Sequence, residues 1–290
     1  MIPDVKRLNA HYIALQAGFW AMFAAICGFQ AALLLHRGFT SGQVGVIGAL
    51  RCLAGMLCQP LLGGWADRHP QVPLKHIVDL SLLLSLVTSL LLTACPDMGF
   101  AATAAVFLIL GGFEISSYPL MDAMAIQFIN AGAPIRYSLG RGIGSFAYAV
   151  CCVVLGLQVG RWGVESVLIT HTALVILEIL LVGTYPPFRA EAPAPGAEAS
   201  GPHSALYLLR HNPRFTLMLL GVLCGLTGIL PMSNFLVNVV LDRGGTQPDL
   251  GAALFVMAAC ELPTAFLFQR LLRRWGSARL LMVSLACGGL

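Results

Sequence analysis

Two lysines, Lys6 and Lys75, are all that 290 residues carry, and neither closes a Gly-x-x-x-x-Gly-Lys loop, so no phosphate cradle for an ATP-driven machine is encoded. HExxH and GxSxG are absent as well, and nothing favours an enzyme. None of the nine cysteines stands in a CxxC pair, so their spacing supports neither a zinc site nor a disulfide framework, and they read as small packing residues. No basic face with interleaved aromatics is present, which excludes nucleic acid as a partner. The scarcity of charge says most: charged residues make up 10% of the chain against 58% hydrophobic, with a mean hydropathy of +0.82. No water-soluble domain can hide that balance in one core, so the chain reads as an all-α polytopic membrane protein surrounded by a lipid bilayer.

About 20 apolar residues cross ~30 Å of hydrocarbon as a helix. Eight such runs are predicted, at roughly 11–35, 42–64, 75–95, 99–129, 138–160, 164–185, 214–241 and 250–272, and a ninth begins near Arg279. The first is too long, and lacks the small-residue cleavage site, for a signal peptide. With the N-terminus in the cytoplasm, thirteen Lys and Arg residues fall inside; Arg37, Arg161 and Arg243 fall outside, and Arg51 stays within a helix, which accounts for all 17. Every loop then obeys the positive-inside rule, in a multi-pass protein of the cell (inner or plasma) membrane. The stretch after the sixth run is rich in Ala, Pro, Gly and Glu and reads as a flexible cytoplasmic linker.

Residues 37–45, "RGFTSGQVG", return as "RGGTQPDLG" at 243–251, an offset of 206 that also takes Arg68 to Arg274. Thr40 with Gln43, and Thr246 with Asp249, have capping-box spacing, so each marks the start of a helix. Gly45 and Gly251 follow one turn in, where close helix contact is allowed. Short loops between membrane helices can look alike by chance, but agreement across helix, loop and helix favours duplication. Two parallel six-helix halves joined by a linker form a known transporter plan. The predicted organisation is a complete six-helix half over 1–186, a linker over 187–213, and about two and a half helices of a second half over 214–290. On that plan roughly 100 further residues are expected beyond Leu290.

"GGWADRHPQVPLK" resembles the loop between helices two and three of the major facilitator superfamily, with Gly63, Asp67 and Arg68 in place and Lys75 as the nearest later cation. The resemblance implies a major facilitator-type helical bundle in which these residues tie helix ends together as a cytoplasmic gate. "YPLMDAMAIQF" followed by "YSLGRGIGSFAYA" is similar to the lactose-permease-like, oligosaccharide:proton symporter branch: Pro119 and Asp122 match one element, Tyr137, Arg141 and Gly144 the other, while Ser138 and Ile143 depart from it. It implies that Asp122 and Arg141 bind substrate hydroxyls and that Tyr148 stacks on the sugar.

Those residues carry a physical reading of their own. A carboxylate in a membrane helix costs at least ~2.5 kcal/mol unless it is paired or faces water, so Asp122 needs a partner, and Arg141 is the expected one. Arg141 and Tyr148 are seven residues apart and share a helix face, about 10 Å from each other. The competing reading has Arg141 snorkelling to the interface and Tyr148 in ordinary packing. Asn234 and Asn238, one turn apart, are expected to line the cavity; Glu114, Glu261 and Arg51 are expected as coupling residues or buried charges. His171 and Glu178 share a face and read as structural. The expected function is secondary active transport, with a proton coupled to uptake of a small polar solute such as a sugar or glycoside. Beyond the coupling proton it has no cofactor or metal, and the complete protein is expected to be a monomer. The rivals are proton-driven efflux of hydrophobic drugs and a non-transporting membrane scaffold or sensor.

Overall fold

In the computed structural model, which describes residues 4–188 and 205–288 with some side chains of the latter stretch excepted, all regular structure among the described residues is helical. The first six helices are α1 (Val5–His36), α2 (Ser41–Arg68), α3 (Leu74–Ala94), α4 (Phe100–Asn130), α5 (Tyr137–Trp162) and α6 (Ser166–Thr184), and each is long and apolar enough to cross a membrane. They are followed by α7 (Ala205–His211), α8 (Pro213–Asn234), α9 (Leu236–Asp242), α10 (Gln247–Ala259) and α11 (Glu261–Gly288). The seventh and eighth predicted spans are thus each broken in two, at Phe235 and at Cys260. The second break has a local cause: Pro263 has no N–H for the Ala259 carbonyl, and α10 ends at that residue. Within α11, Gly276 leaves the helical region at φ 74°, so a new helical segment starts just before Arg279.

Both repeated caps form. Thr40 and Gln43 close a capping box at the start of α2, and Thr246 and Asp249 close one at α10. In the second, the Thr246 hydroxyl and amide donate to Asp249 and hold its carboxyl below the usual carboxylate range. Gly38 and Gly244, the second residue of each copy, stand at φ 83° and 76°, a left-handed turn that costs glycine nothing.

Two compact units result, Met1–Ala190 with Val237–Ala265, and Glu191–Leu236 with Phe266–Leu290. The halves expected from the repeat and the units formed by packing thus divide the chain differently, because α10 lies along α5. Gly251 meets Gly156 there, and a methyl added to Gly251 would stand 2.6 Å from the Cys152 carbonyl oxygen. In the first unit α1 is the most buried span, packing against α5 and α6. Its Leu8, Tyr12, Leu15, Phe19 and Met22 enter a core completed by α3, α4 and α6. Outward-facing leucines remain bare, with Leu61 70%, Leu157 60% and Leu180 62% exposed, the apolar coat a bilayer covers.

Helix ends carrying Lys6, Arg68, Lys75 and Arg136 gather at one end of this unit, called the basic end below. At the other end Arg37 reaches Glu165 with two hydrogen bonds of 2.8 and 2.7 Å and the Leu92 carbonyl at 2.9 Å. It thereby fastens the end of α1 to that of α3 and to the α5–α6 turn. Arg37→Ala should lower stability by about 2 kcal/mol, since hydrogen bonds to a charged group contribute more than neutral ones and the carbonyl loses its donor. Thermal unfolding in detergent checks this; Glu165→Gln should lose less.

Candidate functional site

Asp122 stands near the basic end of α4, three residues after Pro119. Pro119 supplies no N–H to the Ile115 carbonyl, and Gln59 of α2 donates to that oxygen instead at 3.3 Å, so the proline is accommodated by a neighbour. The Asp122 carboxylate, 8% exposed, is held by three donors: Gln16 Nε2 at 2.9 Å, Tyr12 Oη at 3.2 Å and Tyr137 Oη at 2.8 Å. Tyr12 and Tyr137 stack with ring centroids 5.9 Å apart.

Arg141 is not the ion-pair partner expected for Asp122: among the described residues no salt bridge joins them. Tyrosine and glutamine donors already surround the carboxylate, and a guanidinium also packs well on aromatic faces. Arg141 accordingly lies over Tyr118, 4.6 Å from the ring centre, and over Trp20 at 5.2 Å. Tyr148 meets the edge of the same Trp20 at 6.2 Å. Asp122, Arg141 and Tyr148 therefore converge on one cluster built against α1. Two glycines of α5 make this possible: a methyl on Gly140 would stand 2.5 Å from the Tyr12 ring, and one on Gly144 2.5 Å from Trp20.

Three polar atoms in this cluster are buried without a partner: Gln16 Oε1, Trp20 Nε1 and Arg141 Nη1. An acceptor and two donors left open beside aromatic faces suit a ligand that has hydroxyl groups around an apolar ring face. Tyr12, Gln16, Trp20 and Tyr118 were missed in the sequence. The available signal was a stripe on α1, where Tyr12, Gln16, Trp20, Phe23 and Gln30 recur at helical spacing.

Arg51 and Glu114 join each other, not this cluster. Their ion pair of 3.2 Å is fully enclosed, and His171 Nε2 approaches the other Glu114 oxygen at 3.4 Å. Glu178, two turns on from His171, is buried against Gly18 with neither carboxyl oxygen partnered. Asn238 lies apart from this cluster: its amide donates to Ser41 at 3.4 Å, at the end of the unit opposite Asp122, and its Oδ1 is buried without a partner. The side chains of Asn234 and Glu261 lie outside the described residues.

Gly63, Asp67 and Arg68 occupy the last turns of α2. Gly63 and Asp67 line a cleft of about 490 Å3 between the basic ends of α2, α3 and α4, while the Arg68 side chain is exposed. Lys75 instead binds the last carbonyls of α6, with Gly183 at 3.0 Å and Tyr185 at 3.2 Å. That places a cation where the helix end is negative.

Six spanning helices around a buried polar and aromatic cluster define a multi-pass membrane protein of the carrier type. Residues 12–290 match the family described as MFS_1 like family, and the chain belongs to it. It is 24% identical over 263 residues to the maltose permease of Geobacillus stearothermophilus, covering 90% of this chain and 64% of that protein. The fold is that of the nucleoside transporter NupG: the crystal structure of its D323A mutant superposes with a TM-score of 0.73 at 17% identity, over 93% of this chain and 69% of that one. A second NupG crystal structure gives a TM-score of 0.70. These relatives are a permease and a transporter, not enzymes.

Proposed function

We propose that the chain acts in secondary active transport of a small polar solute, a sugar or glycoside, taken up with protons through the Asp122–Arg141 cluster. The observation that carries this reading is the set of open polar atoms on Gln16, Trp20 and Arg141, set among the rings of Trp20, Tyr118 and Tyr148. The maltose permease relative supports the solute class. The basic end lies in the cytoplasm of a cell membrane by the positive-inside rule, and the cleft at Gly63 and Asp67 lies on that side, where a gate would act. A second reading, proton-driven efflux of hydrophobic drugs, draws on the aromatic wall and on Asp122 as the acid beside it.

Uptake of labelled monosaccharides, disaccharides and nucleosides into vesicles, with and without a pH gradient, separates these readings. Gradient-dependent accumulation of a sugar is the expected result. Extrusion of lipophilic cations without any sugar flux would support efflux, and no flux of either would leave a scaffold.

A further inference from the structure

Glu114, His171 and Ser89 are completely buried, and Arg51 is 5% exposed. They come from α4, α6, α3 and α2, so four helices meet at one polar centre inside the first unit. Arg51 donates to Gln30 of α1 at 3.3 Å and to Glu114 Oε1 at 3.2 Å. The second carboxylate oxygen of Glu114 faces His171 Nε2 at 3.4 Å, and the other ring nitrogen stands 2.9 Å from Ser89 Oγ. Ser89 in turn lies 2.8 Å from Thr172 Oγ1. The Cys27 thiol of α1 lies in the field of Arg51 and Glu114, with the Cys52 thiol of α2 beside it.

With the imidazole neutral, Arg51 and Glu114 cancel and the buried charge is zero. A lone pair on Nε2 would face the carboxylate, so Nε2 is the nitrogen that carries hydrogen, and Nδ1 then accepts from Ser89. One added proton settles on Nδ1 and makes the ring an imidazolium, leaving Glu114 between two cations; Ser89 turns to accept, with Thr172 free to receive its hydroxyl hydrogen. At 3.4 Å the Nε2–carboxylate contact is longer than a formed hydrogen bond, and protonation draws it closed. Glu114 then shares its charge, and its hold on Arg51 weakens.

Arg51 is also the link to the solute cluster. Its guanidinium lies 5.2 Å from the centre of the Phe23 ring, Phe23 meets Trp20 edge to face at 5.7 Å, and Trp20 carries Arg141 on its other contact at 5.2 Å. A second link runs along α4, where Glu114 precedes Asp122 by eight residues, a rise of about 12 Å.

We infer that Glu114 and His171 form a proton-binding site within the first six helices, joined to the Asp122–Arg141 cluster through Arg51, Phe23 and Trp20. Its purpose rests on the transport reading; its test does not. The chain with Trp65, Trp162 and Trp275 replaced by Phe keeps Trp20 as its one indole, and in liposomes its emission is followed from pH 5 to 9. The expected result is a sigmoidal change that His171→Gln abolishes. Glu114→Gln should displace its midpoint, because the carboxylate that faces the ring at 3.4 Å is gone. Ser89→Ala keeps the ring and removes its second partner, so it reports even where His171→Gln fails to fold; a displaced midpoint is expected. A flat Trp20 response, or an unmoved midpoint in Glu114→Gln and Ser89→Ala, overturns the proposal. If sugar uptake persists with a flat response, the proton site is wrong and the carrier reading stands; a full response with no solute carried upholds the proton site and sinks the carrier reading.

Discussion

Asp122→Asn and Arg141→Ala should each lower solute affinity by about 100-fold or more while the protein remains inserted and folded. Asp122 accepts from Tyr12, Gln16 and Tyr137. An asparagine keeps one acceptor and turns two N–H donors toward that shell, where the tyrosine hydroxyls can rotate to accept, so the fold survives. What is lost is the negative charge that offsets Arg141 and sets the direction of each hydroxyl. Two mis-paired hydrogen bonds at roughly 1.5 kcal/mol each amount to about two powers of ten in binding. Arg141→Ala removes the open Nη1 donor and the guanidinium plate over Tyr118 and Trp20 together. Arg141→Lys is the informative companion: it restores the charge but neither the planar fork nor the ring stacking, so it should recover little affinity. Titration calorimetry with the solute found by the vesicle screen decides the matter, and wild-type affinity in either Asp122→Asn or Arg141→Ala removes these residues from the site.

What the sequence made legible was local. The first six apolar runs of membrane length and the two capping boxes each depend on a few neighbouring residues, and the structure shows them formed. The site was legible as a place on α4 and α5 but not as a set of contacts. Charge suggested that Asp122 and Arg141 would pair; in the folded unit the uncharged Tyr12 and Gln16 of α1 take the carboxylate. A helix that is apolar nearly all round offers no amphipathic signal, so only the spacing from Tyr12 to Gln30 marked that face. Arg51 and Glu114 each read as an expensive buried charge and His171 as structural; that the two charges pair with His171 beside them depends on three helices meeting, which no local pattern encodes. Asn238 was legible only in part for the same reason: its helical face could be read, but the neighbour its amide donates to, Ser41, lies 197 residues away.

Gly111→Ala should be the most destabilising single-methyl change in the first unit, although glycine to alanine normally favours a helix interior. A methyl at Gly111 would press on the Arg51 backbone carbonyl of α2 and stand 2.5 Å from Arg51 Cγ. A side chain can rotate away, but a helix carbonyl cannot, so α2 must move. It has no room to slide, because Gly55 of α2 packs on Ile115 of α4, where a methyl would stand 2.9 Å from Cβ. The Arg51–Glu114 pair bridges the same crossing at 3.2 Å, and separating the helices stretches it in a place with no water to compensate. Overpacking of this kind costs about 1–3 kcal/mol, and breaking a buried ion pair about 3–5 kcal/mol, so the variant should lose most of its folded population. Gly64→Ala is the control on α2: nothing lies within 4 Å of its added methyl, and it should hold or gain about 0.5–1 kcal/mol. Thermal unfolding of both variants in detergent tests the contrast. A Gly111→Ala protein as stable as Gly64→Ala would mean that α2 and α4 do not cross with Arg51 against Gly111, and the buried Arg51–Glu114–His171 centre would lose its geometric basis with it.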